Sequence, residues 1–139
     1  MNQTAALAYI RRNHHGVLAT QKRDGRPQLS HIVYLLDDDD EIKISVTQDR
    51  AKTINARRDS RVSLSVIGDN WFEYIVVEGT AHLIEDDPLP LLRHVYQGIQ
   101  GKAHPDWPEF DAAMIRDRRL VLAIRIDRLY PLDPDSRSS

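Results

Sequence analysis

Gly16-Val17-Leu18-Ala19-Thr20 reads as a strand, Lys22-Arg23-Asp24-Gly25-Arg26 as a tight turn, and Pro27 to Leu36 as the returning strand. Asp-Gly is a hairpin signal because glycine takes the positive φ that such turns need. Four aspartates, Asp37 to Asp40, form a second turn, after which Ile42, Ile44 and Val46 alternate with Lys43, Ser45 and Thr47. Strand side chains point to opposite faces in turn, so one face of this third strand is expected to be buried and the other wet. Three antiparallel strands in succession make a meander.

Working outward, Thr4 is a candidate cap for a first helix carrying Leu7, Ala8 and Ile10, with Asn13 as its stop. After the meander, Arg50 to Asp59 has helical spacing at Ala51, Ile54 and Ala56. A strand follows at Val62, Leu64 and Val66, and Gly68-Asp69-Asn70 turns into a long β-rich run, Trp71 to Ile84, in which Gly79 marks a bulge or bend. Pro88 and Pro90 open a helix bearing Leu91, Leu92, Val95, Tyr96 and Ile99, a second helix follows Pro108, and Arg119 to Tyr130 is a closing strand. Six strands at hairpin spacing, with helices between them, predict a mainly β chain, an antiparallel barrel and not a parallel βαβ sheet.

The chain has 139 residues, enough for one domain that buries roughly 68% of its unfolded surface without disulfide or metal staples. The domain is expected to span residues 1–132, with the remaining DPDSRSS a disordered tail. There is no cysteine, which excludes disulfides, thiol nucleophiles and Cys-based metal sites and is compatible with the cytoplasm. The formal net charge of −2 is far from the basic excess of a nucleic-acid binder, so any anion site must be local. Charge is indeed blocked: +4 over residues 1–36, −5 over 37–49, +4 over 50–62 and −5 thereafter. No apolar run approaches the ~18 residues of a membrane span, and residues 1–13 lack an export signal's apolar stretch, so a soluble, cytoplasmic protein is expected.

Three groups of residues invite a functional reading. Arg50-Ala51-Lys52-Thr53 lies where a strand gives way to a helix, bringing two cations and a hydroxyl to the helix amides. Such a place favours anions: arginine grips two phosphate oxygens with its planar fork, and lysine adds a movable charge. A solvated basic helix start, partnered by the Asp37–Glu41 run, explains the same residues, and spacing alone leaves both open. In Pro27-Gln28-Leu29-Ser30, Gln28 and Ser30 share a strand face and, with Leu18 and Thr20 on the partner arm, can frame a planar ring or simply form a hairpin. Trp71, Phe72 and Tyr74 either close a ligand pocket or pack in a core or between subunits. The histidines show no HExxH spacing, and GxSxG, GxGxxG and GxxxxGK[ST] are absent, so no metal site, serine hydrolase or nucleotide fold of those types is expected. With no nucleophile or metal, redox chemistry would need a bound cofactor.

The runs GVLATQKRDGRPQLSHIVY (16–34), SVTQDRAKTINARRDSRVSLSV (45–66) and WFEYIVVEGTAHLI (71–84), with Asp106-Trp107, Ala113-Met114 and Asp117-Arg118-Arg119, match a known pattern in order. They resemble the split-barrel flavin and deazaflavin reductases related to pyridoxamine 5′-phosphate oxidase, most of all the mycobacterial and actinobacterial branch that uses coenzyme F420. The resemblance spans about Leu7 to Tyr130. It implies a six-stranded antiparallel split β-barrel of the FMN-binding type, a homodimer with cofactor sites at the subunit interface. It further implies that Arg50, Ala51, Lys52 and Thr53 bind the coenzyme phosphate, and that Leu18, Ala19 and Thr20 with Pro27, Gln28, Leu29 and Ser30 run beside the ring. Trp71 and Tyr74 would line the groove from the partner chain, and the acidic run would face away. The implied activity is hydride transfer between F420 and a small conjugated or heteroaromatic acceptor, with no catalytic residue assigned. FMN in a pyridoxamine 5′-phosphate oxidase-like flavoprotein, or storage of F420 or flavin without turnover, are the alternatives.

Overall fold

The computed structural model describes residues 1–132; the tail from 133 to 139, expected to be disordered, lies outside the described residues. In chain order the elements are α1 (Gln3–Arg12), β1 (His15–Gln21), β2 (Pro27–Val33), β3 (Leu35–Leu36), β4 (Glu41–Thr47), α2 (Ala51–Arg58), β5 (Arg61–Ile67), β6 (Tyr74–Ile84), α3 (Leu89–Gln100), α4 (Trp107–Arg116) and β7 (Arg119–Tyr130). One antiparallel sheet runs β2-β1-β5-β6-β7-β4-β3. β2 and β4 stand toward opposite ends of that order yet touch, so the sheet curls into an open barrel with a seam between them.

The sheet has seven strands, not six, because the return strand breaks at Tyr34. Its N–H donates to the His14 carbonyl at 2.8 Å, and its buried hydroxyl donates to the Ile10 carbonyl at 2.8 Å. Anchored there, the chain leaves β1, and Leu35–Leu36 pairs with β4 instead. The first helix is capped by Asn2, whose Oδ1 accepts from the Ala5 N–H at 2.8 Å, and not by Thr4, which lies inside it. β6 begins at Tyr74 and not at Trp71. Asn70 holds the preceding residues in a turn, its Oδ1 accepting from the Phe72 N–H at 3.0 Å and its carbonyl from the Glu73 N–H at 3.1 Å.

The barrel interior is filled by Ile10, Leu18, Tyr34, Ile42, Ile44, Leu64, Ile75, Leu122, Ile124 and their neighbours. A second, smaller core of Leu92, Phe110 and Val121 seats α3 and α4 on the sheet. Gly79 does mark a bulge, between Glu78 and Gly79 opposite β7. A Cβ there would come within 2.4 Å of Ile124 Cγ2 and 2.5 Å of the Arg125 carbonyl oxygen. Gly79→Ala is therefore expected to destabilise the fold by about 2 kcal/mol, since the backbone oxygen cannot swing aside as a side chain would. Urea unfolding checks this, and an unchanged midpoint would show that the bulge yields freely.

One alternation expectation fails. Ile42, Ile44 and Val46 are buried as expected, but Lys43, placed on the wet face, is buried too, its side chain only 5% exposed. Its ammonium donates to Asp39 Oδ2 at 2.8 Å and Asp37 Oδ2 at 3.2 Å. The acidic turn folds over this lysine and removes it from water, a pairing between neighbours in the turn that a period of two does not encode.

Candidate functional site

β4 ends at Thr47, and the chain enters α2 through Arg50, whose extended backbone (φ −73°, ψ 150°) caps the helix without a side-chain hydrogen bond. Of the apolar positions expected at Ala51, Ile54 and Ala56, only Ala56 is buried: Ala51 is exposed and Ile54 is 49% exposed, and Thr53 and Asn55 join Ala56 on the buried side. Polar bonds dock the helix. Thr53 Oγ1 donates to the Thr47 carbonyl at 2.7 Å, and Asn55 Nδ2 donates to Thr20 Oγ1 at 3.2 Å. The Thr53 proton is thus committed to holding the strand-to-helix turn and is not offered outward.

This docking leaves Lys52 facing a cavity of about 340 Å³ that opens at the seam. His31, Ile32 and Val33 of β2 and Ile44 and Ser45 of β4 form one side, and Leu92, Val95, Tyr96, Ile99, Phe110 and Met114 of α3 and α4 form the other. Arg119, the first residue of β7, joins Lys52 in the lining. A wider cleft of about 640 Å³, lined by Thr47, Asp49, Arg50, Arg116, Asp117 and Arg118, shares Arg119 with it. The first cavity, with apolar walls and a few polar groups, suits a small organic ligand, and the second is polar and charged throughout.

Three cations gather where the two cavities meet. Arg50, Lys52 and Arg119 have no carboxylate within ion-pair distance among the described residues, whereas Arg11, Arg57, Arg61 and Arg93 each have one. Burial pushes the Lys52 ammonium below the ordinary lysine value, and the charges of Arg50 and Arg119 push it further. Arg119 Nη1 reaches the Ser45 carbonyl at 3.3 Å, but its Nε is buried without a partner, as is Thr47 Oγ1. Buried donors are rarely left unpaired, so this one points to an acceptor supplied by a ligand. The acidic run does not serve the cluster: Asp37 and Asp39 hold Lys43, Asp40 holds Arg11 at 2.8 Å, and none of these aspartates lines the cavity. A phosphate fits this donor set of two guanidiniums and an ammonium: the two carboxylates of the adjoining cleft, Asp117 and Asp49, pair with Arg116 at 3.3 Å and Arg118 at 3.8 Å and not with these three cations.

The edge of β2 supplies the second feature. The Lys22 N–H donates to the Arg26 carbonyl at 2.9 Å and the Tyr34 N–H to the His14 carbonyl at 2.8 Å, which fixes the ladder's phase. Gln28, Ser30 and Ile32 therefore spend their backbone groups on β1, while Leu29, His31 and Val33 turn theirs to the seam. Gln28 Nε2 donates to the Leu29 carbonyl at 3.0 Å, as a group outside the ladder allows. Pro27 has the same phase, so its missing N–H lies at the open edge.

The remaining residues of the expected site are scattered. Leu18 and Thr20 are buried, and β1 is paired on both sides, so neither their side chains nor their backbone face a ligand. Ala19 is half-buried and Ala51 exposed. Gln28 and Ser30 bond to each other at 2.8 Å, and Thr20 Oγ1 donates to Gln28 Oε1 at 3.1 Å. Leu29 is exposed. Trp71 and Tyr74 line a different cavity, of about 410 Å³, with Val17, Ser65, Ile67 and Phe72, so within one chain they do not meet Lys52. Trp71 and Phe72 are 78% and 87% exposed. His31, Val33, Ser45, Tyr96, Met114 and Arg119 complete the groove although the sequence did not nominate them. Strand alternation placed Ser45 on the right face, but helix spacing says nothing of which strand α3 and α4 cover.

Three solved structures share this architecture. A conserved protein of Mycobacterium tuberculosis, Rv2991, is 24% identical, with 100% of this chain and 89% of that one covered and a TM-score of 0.76. An F420 reductase is 22% identical, with 88% and 93% covered and a TM-score of 0.67. A FAD-binding protein of Mesorhizobium loti is 19% identical, with 93% and 90% covered and a TM-score of 0.65. At these identities the likeness is one of fold. The family profile of pyridoxamine 5′-phosphate oxidase matches residues 3–133, nearly the whole chain. With its curled antiparallel sheet and its seam, the chain belongs to the pyridoxamine 5′-phosphate oxidase family.

Proposed function

We propose that the protein is an F420-dependent oxidoreductase that transfers a hydride between the deazaflavin and a small conjugated or heteroaromatic acceptor. The observation that carries this reading is the cluster of Arg50, Lys52 and Arg119, none of them ion-paired to a carboxylate among the described residues, beside an apolar groove at an open strand edge. The coenzyme, when bound, supplies the hydride chemistry. Arg50, Lys52 and Arg119 hold its phosphate. The backbone groups of Leu29, His31 and Val33 orient the polar edge of the ring, and Val33, Ile44, Leu92, Val95, Ile99 and Met114 exclude water from it. The His31 imidazole and the Tyr96 phenol, both in the lining, carry protons that an acceptor can take.

The same three cations serve FMN, whose phosphate is also anionic. The cleft beyond them favours F420, because its four arginines outnumber Asp49 and Asp117 and leave a positive surface on which an anionic glutamate tail can lie, whereas FMN ends at its phosphate. Titration with each coenzyme tests the choice: F420 fluorescence is expected to be quenched with a low-micromolar dissociation constant, about −7 to −8 kcal/mol. Tight FMN binding with no F420 quench would reverse it. Oxidation of reduced coenzyme by quinones, nitroaromatics or enones above the protein-free rate separates an enzyme from a storage protein.

The exposed Trp71, Phe72, Ile67 and Tyr74 form an apolar surface that a second copy would cover, bringing these aromatics toward the partner's groove. A dimer is expected by sedimentation at micromolar concentration. A monomer that binds coenzyme at full affinity would remove the shared-site part of the reading.

A further inference from the structure

The four lysines occupy different surroundings. Lys22 and Lys102 are exposed. Lys43 is closed off by Asp37 and Asp39, which keep it protonated against the effect of burial. Lys52 lines the groove, with Arg119 in the same lining and Arg50 beside it, and has no carboxylate within ion-pair distance among the described residues to stabilise its ammonium. An amine in such a place is both more often unprotonated than an exposed lysine and set next to an anion-binding cluster.

We propose that Lys52 is an acylation site for acyl phosphates, with Arg50 and Arg119 receiving the phosphoryl group and the apolar wall of the groove receiving the acyl chain. The unprotonated amine attacks the acyl carbon. A C–N bond forms as the C–O bond to phosphate breaks, phosphate departs with the bonding electron pair, and the proton shed by nitrogen goes to water. Val33, Ile44 and Val95 offer the acyl group an apolar surface, and the buried Arg119 Nε offers an unused donor. The product is a neutral amide, so modification removes one of the three charges of the cluster and weakens its hold on any phosphate. The inference rests on the anion site described above and not on which coenzyme fills it.

The test treats the full-length protein with acetyl phosphate at mildly alkaline pH, caps the remaining amines with isotopically heavy acetyl groups after unfolding, and reads occupancy at each lysine by mass spectrometry. Lys52 is expected to acetylate about tenfold faster than Lys22 or Lys102, the enrichment that a focused positive field gives an anion. Inorganic phosphate should suppress labelling at Lys52 and leave the other two unchanged, and Arg119→Ala should reduce the preference. Acetic anhydride, which has no phosphoryl group, should show much less preference. Labelling of Lys52 no faster than Lys22 and Lys102 overturns the proposal. So does a preference that acetic anhydride reproduces and phosphate does not suppress. If Lys52 labels selectively but saturating F420 or FMN gives no protection, the acylation site stands and the phosphate cradle for a coenzyme falls.

Discussion

Arg119→Ala and Lys52→Ala are each expected to weaken coenzyme binding ten- to hundredfold, and the double variant to lose less than the product of the two. Each removes a charge-assisted hydrogen bond to one phosphate in a partly desolvated groove, worth roughly 1.5–3 kcal/mol. Partners on one anion are not independent, because the survivor shifts to recover part of the loss. The fold should tolerate Lys52→Ala to within about 0.5 kcal/mol, since alanine suits a helix and no ion pair is lost. Its removal also relieves the crowding of like charge with Arg50 and Arg119, which adds to burial in depressing its ammonium. Raised salt should weaken the wild type more than either variant. Fluorescence titration and a melting curve on the same preparations check both halves. Unchanged affinity with unchanged melting would place Lys52 in ordinary solvent contact and withdraw the site.

Lys43→Ala is expected to destabilise the protein by about 3 kcal/mol, far more than Lys52→Ala, although both residues are lysines of the same chain. Removing one member of a buried ion pair leaves its partners as uncompensated charges. Here Asp37 keeps only His94, at 2.9 Å, and the Asp38 N–H, at 2.8 Å, while Asp39 turns to solvent. Acid should reveal the same arrangement in the wild type. Burial pushes the Asp37 carboxyl up, but the bonds from His94, the Asp38 N–H and Lys43 outweigh it and hold the group at about 2. A carboxyl depressed on folding contributes stability above its unfolded value near 3.8 and loses it as pH falls through about 2, so the loss lies between roughly pH 4 and pH 2. Denaturant unfolding across that window should show a steeper decline for the wild type than for Lys43→Ala, in which Asp37 titrates nearer its ordinary value. Parallel declines would mean that Lys43 does not set the acid sensitivity of the turn. None of this should alter coenzyme affinity, because neither Lys43 nor Asp37 lines the groove.

Much of the fold was legible because its signals are local. The Asp-Gly hairpin, the period of two in β4 and β5, the glycine at the bulge and the bounds of β7 each depend on residues within one strand or turn. The basic start of α2 could be read the same way. What a local pattern cannot carry is which side chain ends up with which partner. Thr53 looked like a phosphate ligand until the strand before it supplied a carbonyl for its hydroxyl. Gln28 and Ser30 looked like ring contacts, but they lock each other and leave the open backbone edge of Leu29, His31 and Val33 to the seam. Arg50 and Lys52 had the Asp37–Glu41 run as a plausible counter-charge on composition, and only the packing of that turn over Lys43 shows that it is spoken for. Sequence determined the strands, the hairpin and a basic helix start, because backbone preference and side-chain alternation act over a few residues. Tertiary structure decided the seam, the seventh strand, the walls of the groove and the place of Arg119 beside Lys52, because these arise where distant segments exclude water and satisfy one another's charges and hydrogen bonds.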